Sequence, residues 1–209
     1  MPLNALAALL VCAGLCAGWS ATAADKSAGA TVSMLVRSAI ARDDARLGQI
    51  AAQLKMQPRP ARVDRRAARD LNERGLALWQ RQRFGEAAVL FGQAQQADAS
   101  DAEIAENLGY SLLKSGQVSQ AEAAILAALA LAPERASAWG SLGLIYAKQG
   151  RHGDGVACVL TAYRYTREPK RTLDTYSRLA ATDEDPKVRA MLSEVVRRLS
   201  GPQQDIKRG

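Results

Sequence analysis

Apolar residues recur at helical spacing along most of this chain, and the breaks between the stripes divide it into units. Val32, Leu35, Val36, Ala39, Ile40, Leu47, Ile50, Ala51 and Leu54 fall on helical positions that Asp43-Asp44 interrupts. This predicts two helices, roughly 31–42 and 44–56, forming either a degenerate repeat or an N-terminal cap. Pro58 and Pro60 disfavour helix at the residue before each and mark a linker. Beyond it, Gly75, Gly109 and Gly143 lie 34 residues apart in matching frames: Leu71-x2-Arg74-Gly75-x2-Leu78, Ala105-x2-Leu108-Gly109-x2-Leu112 and Trp139-x2-Leu142-Gly143-x2-Tyr146. At one common offset follow the small residues Ala87, Ala121 and Gly155, and four positions later Phe91, Ile125 and Val159. After Pro169, Leu173, Tyr176 and Leu179-Ala180 suggest a fourth first helix, with Ser177 in place of the glycine. Asp185 as N-cap and Pro186 as first residue open a last helix, whose stripe of Val188, Leu192, Val195, Val196 and Leu199 suits a cap on the final repeat.

A glycine within a helix costs about 1 kcal/mol relative to alanine, so its regular return needs a packing reason. Two antiparallel helices approach closely where the crossing point carries little side chain. Gly75, Gly109 and Gly143 are therefore paired with Ala87, Ala121 and Gly155 as helix-crossing positions. Turns are expected near Arg83-Phe84-Gly85, at Lys114-Ser115-Gly116-Gln117 and at Gln149-Gly150-Arg151. Ser100-x-x-Glu103 and Ser119-x-x-Glu122 read as capping boxes at the two helix starts of the middle unit.

This period and residue pattern resemble the tetratricopeptide repeat, a helix–turn–helix unit. The resemblance covers roughly Ala61 to Pro169. It implies an all-α, right-handed superhelical solenoid with units at about 68–101, 102–135 and 136–169. Flanking these are an N-terminal helical segment and linker (24–60), a C-terminal degenerate repeat with capping helices (170–200) and a disordered tail (201–209).

Residues 1–23 contain no charged side chain, and an apolar run spans Ala5–Ala17. With the small-x-small end at Ala21-Thr22-Ala23, this predicts a signal peptide cleaved after Ala23 and a periplasmic or secreted chain. The leader lacks Lys or Arg, which leaves an uncleaved anchor as the alternative. A lipidated Cys12 or Cys16 is disfavoured, because Val11 and Leu15 precede them where a small residue is expected. Cys158 is then the single mature cysteine, so packing alone must hold the fold together.

The net charge is +7, unevenly spread. Lys55 to Arg83 carries nine basic residues against Asp64, Asp70 and Glu73, whereas Asp98 to Glu134 is acidic apart from Lys114. The basic segment Arg59–Arg69 suits peripheral association with a membrane or an anionic glycan, or attachment to a cell-wall enzyme; a merely solvated surface is the plainer reading. Nucleic acid is not expected, since the basic segments lack base-stacking aromatics.

No enzymatic constellation is present. His152 is the one histidine, which argues against a histidine-based metal site, and neither a nucleophile elbow nor a phosphate loop occurs. No catalytic residue, metal or cofactor is assigned, and His152 and Cys158 are read as structural. What remains is a groove. In the resembling family the first helix of each repeat lines a concave face. By position this implies Asn72, Leu76 and Trp79, then Glu106, Asn107, Tyr110 and Leu113, then Gly140, Leu144 and Ala147. The Lys and Asn set by which one class of that family clamps C-terminal carboxylates is missing. The expected role is a non-catalytic scaffold or adaptor that takes a protein or peptide segment of an envelope complex. Size, export and repeat number resemble assembly factors of bacterial envelope machines, including tight-adherence (Flp-type) pili and secretion systems.

Overall fold

The structure, a computed structural model, describes residues 23–201. The leader assigned to residues 1–23 and the tail from Gly201 therefore lie almost wholly outside the described residues. Ten helices fill the described part: α1 (Ala23–Ala41), α2 (Asp44–Met56), α3 (Arg65–Gln80), α4 (Phe84–Ala97), α5 (Ala102–Lys114), α6 (Val118–Leu131), α7 (Ala136–Lys148), α8 (His152–Tyr165), α9 (Pro169–Thr182) and α10 (Pro186–Ser200). Extended pairing among the described residues is limited to one bridge, Arg62 to Asp98.

Helices α3/α4, α5/α6 and α7/α8 form three hairpins that stack in order, each first helix resting on the second helix before it. The need for glycine at the crossings is visible atom by atom. A Cβ built on Gly75 would come within 2.6 Å of the Phe91 ring, and one on Gly109 within 2.6 Å of Ile125 Cδ1. On Gly143 it would collide with Val159 and stand 3.0 Å from the Gly155 carbonyl. Ala87 and Ala121 are fully buried at these crossings. The large residue four positions on thus fills the space beside each glycine, while the small residue admits the backbone.

Two turns close with glycine in the left-handed region, Gly116 at φ 84° and Gly150 at φ 81°. The equivalent place in the first hairpin is held by Gln82 at φ 58°, a conformation unfavourable for a residue with a Cβ. The first-hairpin turn therefore lies at Arg81-Gln82, and Phe84 already belongs to α4.

Both expected capping boxes are replaced by other arrangements. Asp101, not Ser100, caps α5, accepting from the backbone N–H groups of Glu103 and Ile104. A carboxylate one residue nearer the helix outcompetes the hydroxyl for the same donors, and Ser100 Oγ instead donates to Asp98 at 2.6 Å. Ser119 falls inside α6, which starts from Gln117 without a side-chain cap.

The helical stripe of residues 32–54 forms a hairpin, α1/α2, whose first helix starts at Ala23 rather than near residue 31. It does not continue the stack in front of repeat one. It lies across the outer helices α6 and α8 of repeats two and three, burying Leu35, Leu47 and Leu54 in one core with Ile125, Leu129 and Cys158. Arg164 forms an ion pair with Asp44, and Lys55 pairs with Glu134 at 2.7 Å, on the same side of the molecule.

At the other end, α10 packs on α8 and α7 through Val188, Met191, Leu192 and Val195. Helix α9, expected to stack as a fourth first helix, makes little contact with α8 and buries no residue completely. Ser177, placed by sequence at a crossing, is exposed. Helix α9 packs chiefly on α10, with Tyr176 and Leu179 also facing the cleft. Among the described residues no helix is long and apolar enough to cross a membrane.

Candidate peptide-binding cleft

The inner helices of the three hairpins line a cleft of about 890 Å³, closed on one side by α9. Helix α3 contributes Leu76 and Trp79, α5 contributes Glu106, Asn107 and Tyr110, and α7 contributes Gly140 and Leu144. Leu76, Tyr110 and Leu144 recur one repeat apart, as do Glu106 and Gly140, because a solenoid presents equivalent residues of successive first helices on one face.

At the repeat-one end the cleft is an aromatic shelf. Trp79, 38% exposed, sits with its ring 6.0 Å from that of Tyr110 and 6.1 Å, edge-on, from Phe84. Asn107 donates through Nδ2 to Asn72 Oδ1 at 3.0 Å, joining α5 to α3. That bond occupies one amide proton of Asn107 and leaves its carbonyl oxygen for a ligand. Asn72 itself stands beside the cleft as a partner of Asn107 and does not line it.

At the middle, Glu106 forms an ion pair with Arg135 that links repeat two to the start of α7. Glu106 is nearly buried, so removing Arg135 would strand a carboxylate. Two residues expected in the groove belong to the interior. Leu113, the register equivalent of Trp79, is 3% exposed and belongs to the main core. Ala147 is 1% exposed and packed with Val188 and Met191, covered by α10.

At the repeat-three end α9 lies over the cleft. Tyr176 Oη is 3.9 Å from where a Cβ on Gly140 would stand, an ordinary van der Waals distance that puts the phenol over the start of α7. Leu144 touches both the main core and the cluster around α10, with Tyr176 and Leu179 beside it. Burial pushes the Tyr176 phenol up to about 12. Burial, with the Asp183 carboxylate nearby, also raises Tyr110. Both hydroxyls are therefore protonated donors at neutral pH. Sequence reasoning placed Tyr176 on a repeat helix without recognising it as a cleft residue.

The remaining reactive side chains lie elsewhere. His152 is exposed at the first position of α8, and Cys158 is buried beneath α1, where desolvation pushes its thiol up. No group of acidic, histidine or cysteine residues among the described residues could hold a metal ion.

Residues 106–169 match the tetratricopeptide repeat family model. No curated protein matches the chain. Three solved structures resemble it in fold. The tetratricopeptide repeat domain of Sgt2 from Aspergillus fumigatus is 19% identical, with 73% of this chain and 95% of that one covered and a TM-score of 0.50. The type III secretion chaperone SycD of Yersinia enterocolitica, solved with a peptide of the translocator YopD, is 13% identical over 61% of this chain and 90% of its own, at TM-score 0.50. The first tetratricopeptide repeat domain of Spaghetti (RPAP3), bound to an HSP90 peptide, is 17% identical over 59% and 100%, at 0.49. The chain is thus an all-α helical solenoid whose residues 106–169 resemble tetratricopeptide repeats.

Proposed function

We propose that the protein is a non-catalytic adaptor of the cell envelope that captures a segment of a partner protein in the cleft between its inner helices. The observation that carries this reading is the half-exposed aromatic shelf of Trp79 and Tyr110, with Leu76 and the free amide carbonyl of Asn107 beside it. Rigid aromatics at the edge of an apolar cleft suit a helix or extended segment bearing apolar anchors, with the polar groups fixing its orientation. The peptide held by SycD supports the same use of this fold. The apolar run before Ala23 supports an envelope address, and a pilus or secretion machine is the setting that best suits an exported adaptor of this size.

A photo-crosslinker introduced at Leu76 should trap one partner from the envelope fraction. Trp79→Ala combined with Tyr110→Ala should reduce that capture at least tenfold and leave helical circular dichroism unchanged. Equal capture by the double variant would remove the cleft from the function. Recovery of the protein in the cytoplasmic fraction would remove the envelope.

A further inference from the structure

The start of α3 and the linker before it carry a charge arrangement that helix stability does not account for. Arg65, Arg66 and Arg69 crowd the positive end of the helix macrodipole, and the first turn holds no acidic residue. Of the nearby carboxylates, Asp64 caps α3 through Arg66 N and Ala67 N, Asp70 pairs with Arg74 at 3.3 Å and Asp98 faces Arg62 at 3.9 Å, which leaves Glu73 as the one acid within a turn of Arg69. Arg59, Arg66 and Arg69 are exposed, and none has an ion-pair partner among the described residues.

Among these arginines stand two of the most exposed large apolar side chains of the described residues, Met56 at 85% and Val63 at 81%. Val63 is held outward rather than left loose. Its backbone N–H donates to the Ala97 carbonyl at 3.0 Å, that of Asp64 does the same at 2.9 Å, and Arg62 Nε donates to Ser100 Oγ at 2.8 Å. A soluble polyanion would satisfy the guanidinium groups and offer nothing to Met56 or Val63. An anionic bilayer offers phosphates at the depth of the arginines and an apolar layer just beneath.

We propose that the segment from Met56 to Arg69 is a docking surface for an anionic lipid bilayer, with Val63 and Met56 entering the acyl boundary between headgroup-bound arginines. Gln57 Nε2 donates to Thr31 Oγ1 at 3.3 Å, which ties the start of this segment to the middle of α1. The cleft requires none of these residues, so the two proposals stand or fall separately.

Vesicles of phosphatidylcholine, with and without phosphatidylglycerol, test it on the full chain. Partitioning should require phosphatidylglycerol and fall about fivefold for each arginine removed, hence about 25-fold for Arg66→Gln with Arg69→Gln. Val63→Trp should add an emission component that shifts to the blue and is quenched by brominated lipid on the anionic vesicles. Undiminished partitioning of the double arginine variant, or no added blue shift from Val63→Trp, would overturn the proposal. So would Met56→Ser with Val63→Ser partitioning like the wild type, which would make the patch a site for soluble polyanions.

Discussion

At the scale of single residues, close backbone approach is bought at three glycines, and the three are not equally sensitive. At Gly75 a Cβ would meet only the Phe91 ring, and at Gly109 the Ile125 side chain first and then the Ala121 carbonyl at 3.2 Å. At Gly143 the Gly155 carbonyl stands 3.0 Å away on the facing helix, and backbone cannot move without separating the pair. Gly143→Ala should accordingly cost about 1–3 kcal/mol, more than Gly109→Ala, as the midpoints of urea unfolding would reveal. Gln82 offers the opposite change. It alone among the three equivalent turn positions holds φ 58° with a side chain. Gln82→Gly should stabilise by about 1 kcal/mol, the relief of left-handed strain outweighing the extra freedom of the unfolded glycine. A melting temperature that fell would show that Gln82 has contacts worth more than its strain.

At the scale of elements, the hairpins were legible because a 34-residue period fixes both crossing and turn together. The caps were less so: Ser100 and Asp101 both stand where an oxygen could meet the first donors of α5, and the path of the chain gives those donors to Asp101 while Ser100 turns to Asp98. The last helix was legible as a cap, since its stripe of Val188, Leu192 and Val195 covers the final repeat, but the placement of the N-terminal hairpin and of α9 was not. The stripe of Val32, Leu35 and Val36 says that one face of α1 is covered, yet it is as compatible with α3 as with α6 and α8. Likewise the apolar side of α9 suits a stacked repeat and an inward-leaning helix equally well; the exposed Ser177 and the Tyr176–Gly140 approach reveal the second. Leu113 and Ala147 were misassigned for a related reason. Positional transfer gives the angle of a residue around its helix, while the amount of covering depends on neighbours that the repeat pattern does not specify. The position of α1 has a measurable result. Leu35→Ala should destabilise by about 2–5 kcal/mol and loosen the lid over the buried Cys158. Thiol labelling of Cys158 in the native protein, slow in the wild type, should accelerate with it. Unchanged labelling would mean that α1 does not control access to that cysteine.

At the scale of the whole molecule, the two faces of the stack are treated differently. The outer face of repeats two and three is closed by α1 and α2, the inner face is partly closed by α9, and repeat one is stacked on one side only. In a simple solenoid each repeat contacts its neighbours alone and the ends loosen first. Here the loosest end should be the first hairpin. Amide exchange in α3 should run well ahead of that in α7, whose own Leu142 and Ile145 are fully buried. Similar protection in both would indicate that repeat one is held by contacts beyond the single hairpin stacked on it. The cleft opens at this same end, so the aromatic shelf sits where small adjustments of a helix cost least.

The hairpin laid across α6 and α8 also constrains how such a chain could grow. Duplicating a unit ahead of Arg65 would lengthen the array and leave that cross-member seated. Splicing an additional unit between Leu131 and Ala136 would move its two footings apart and strip the cover from Cys158. Length variation in this architecture is therefore open at one terminus and closed in the middle.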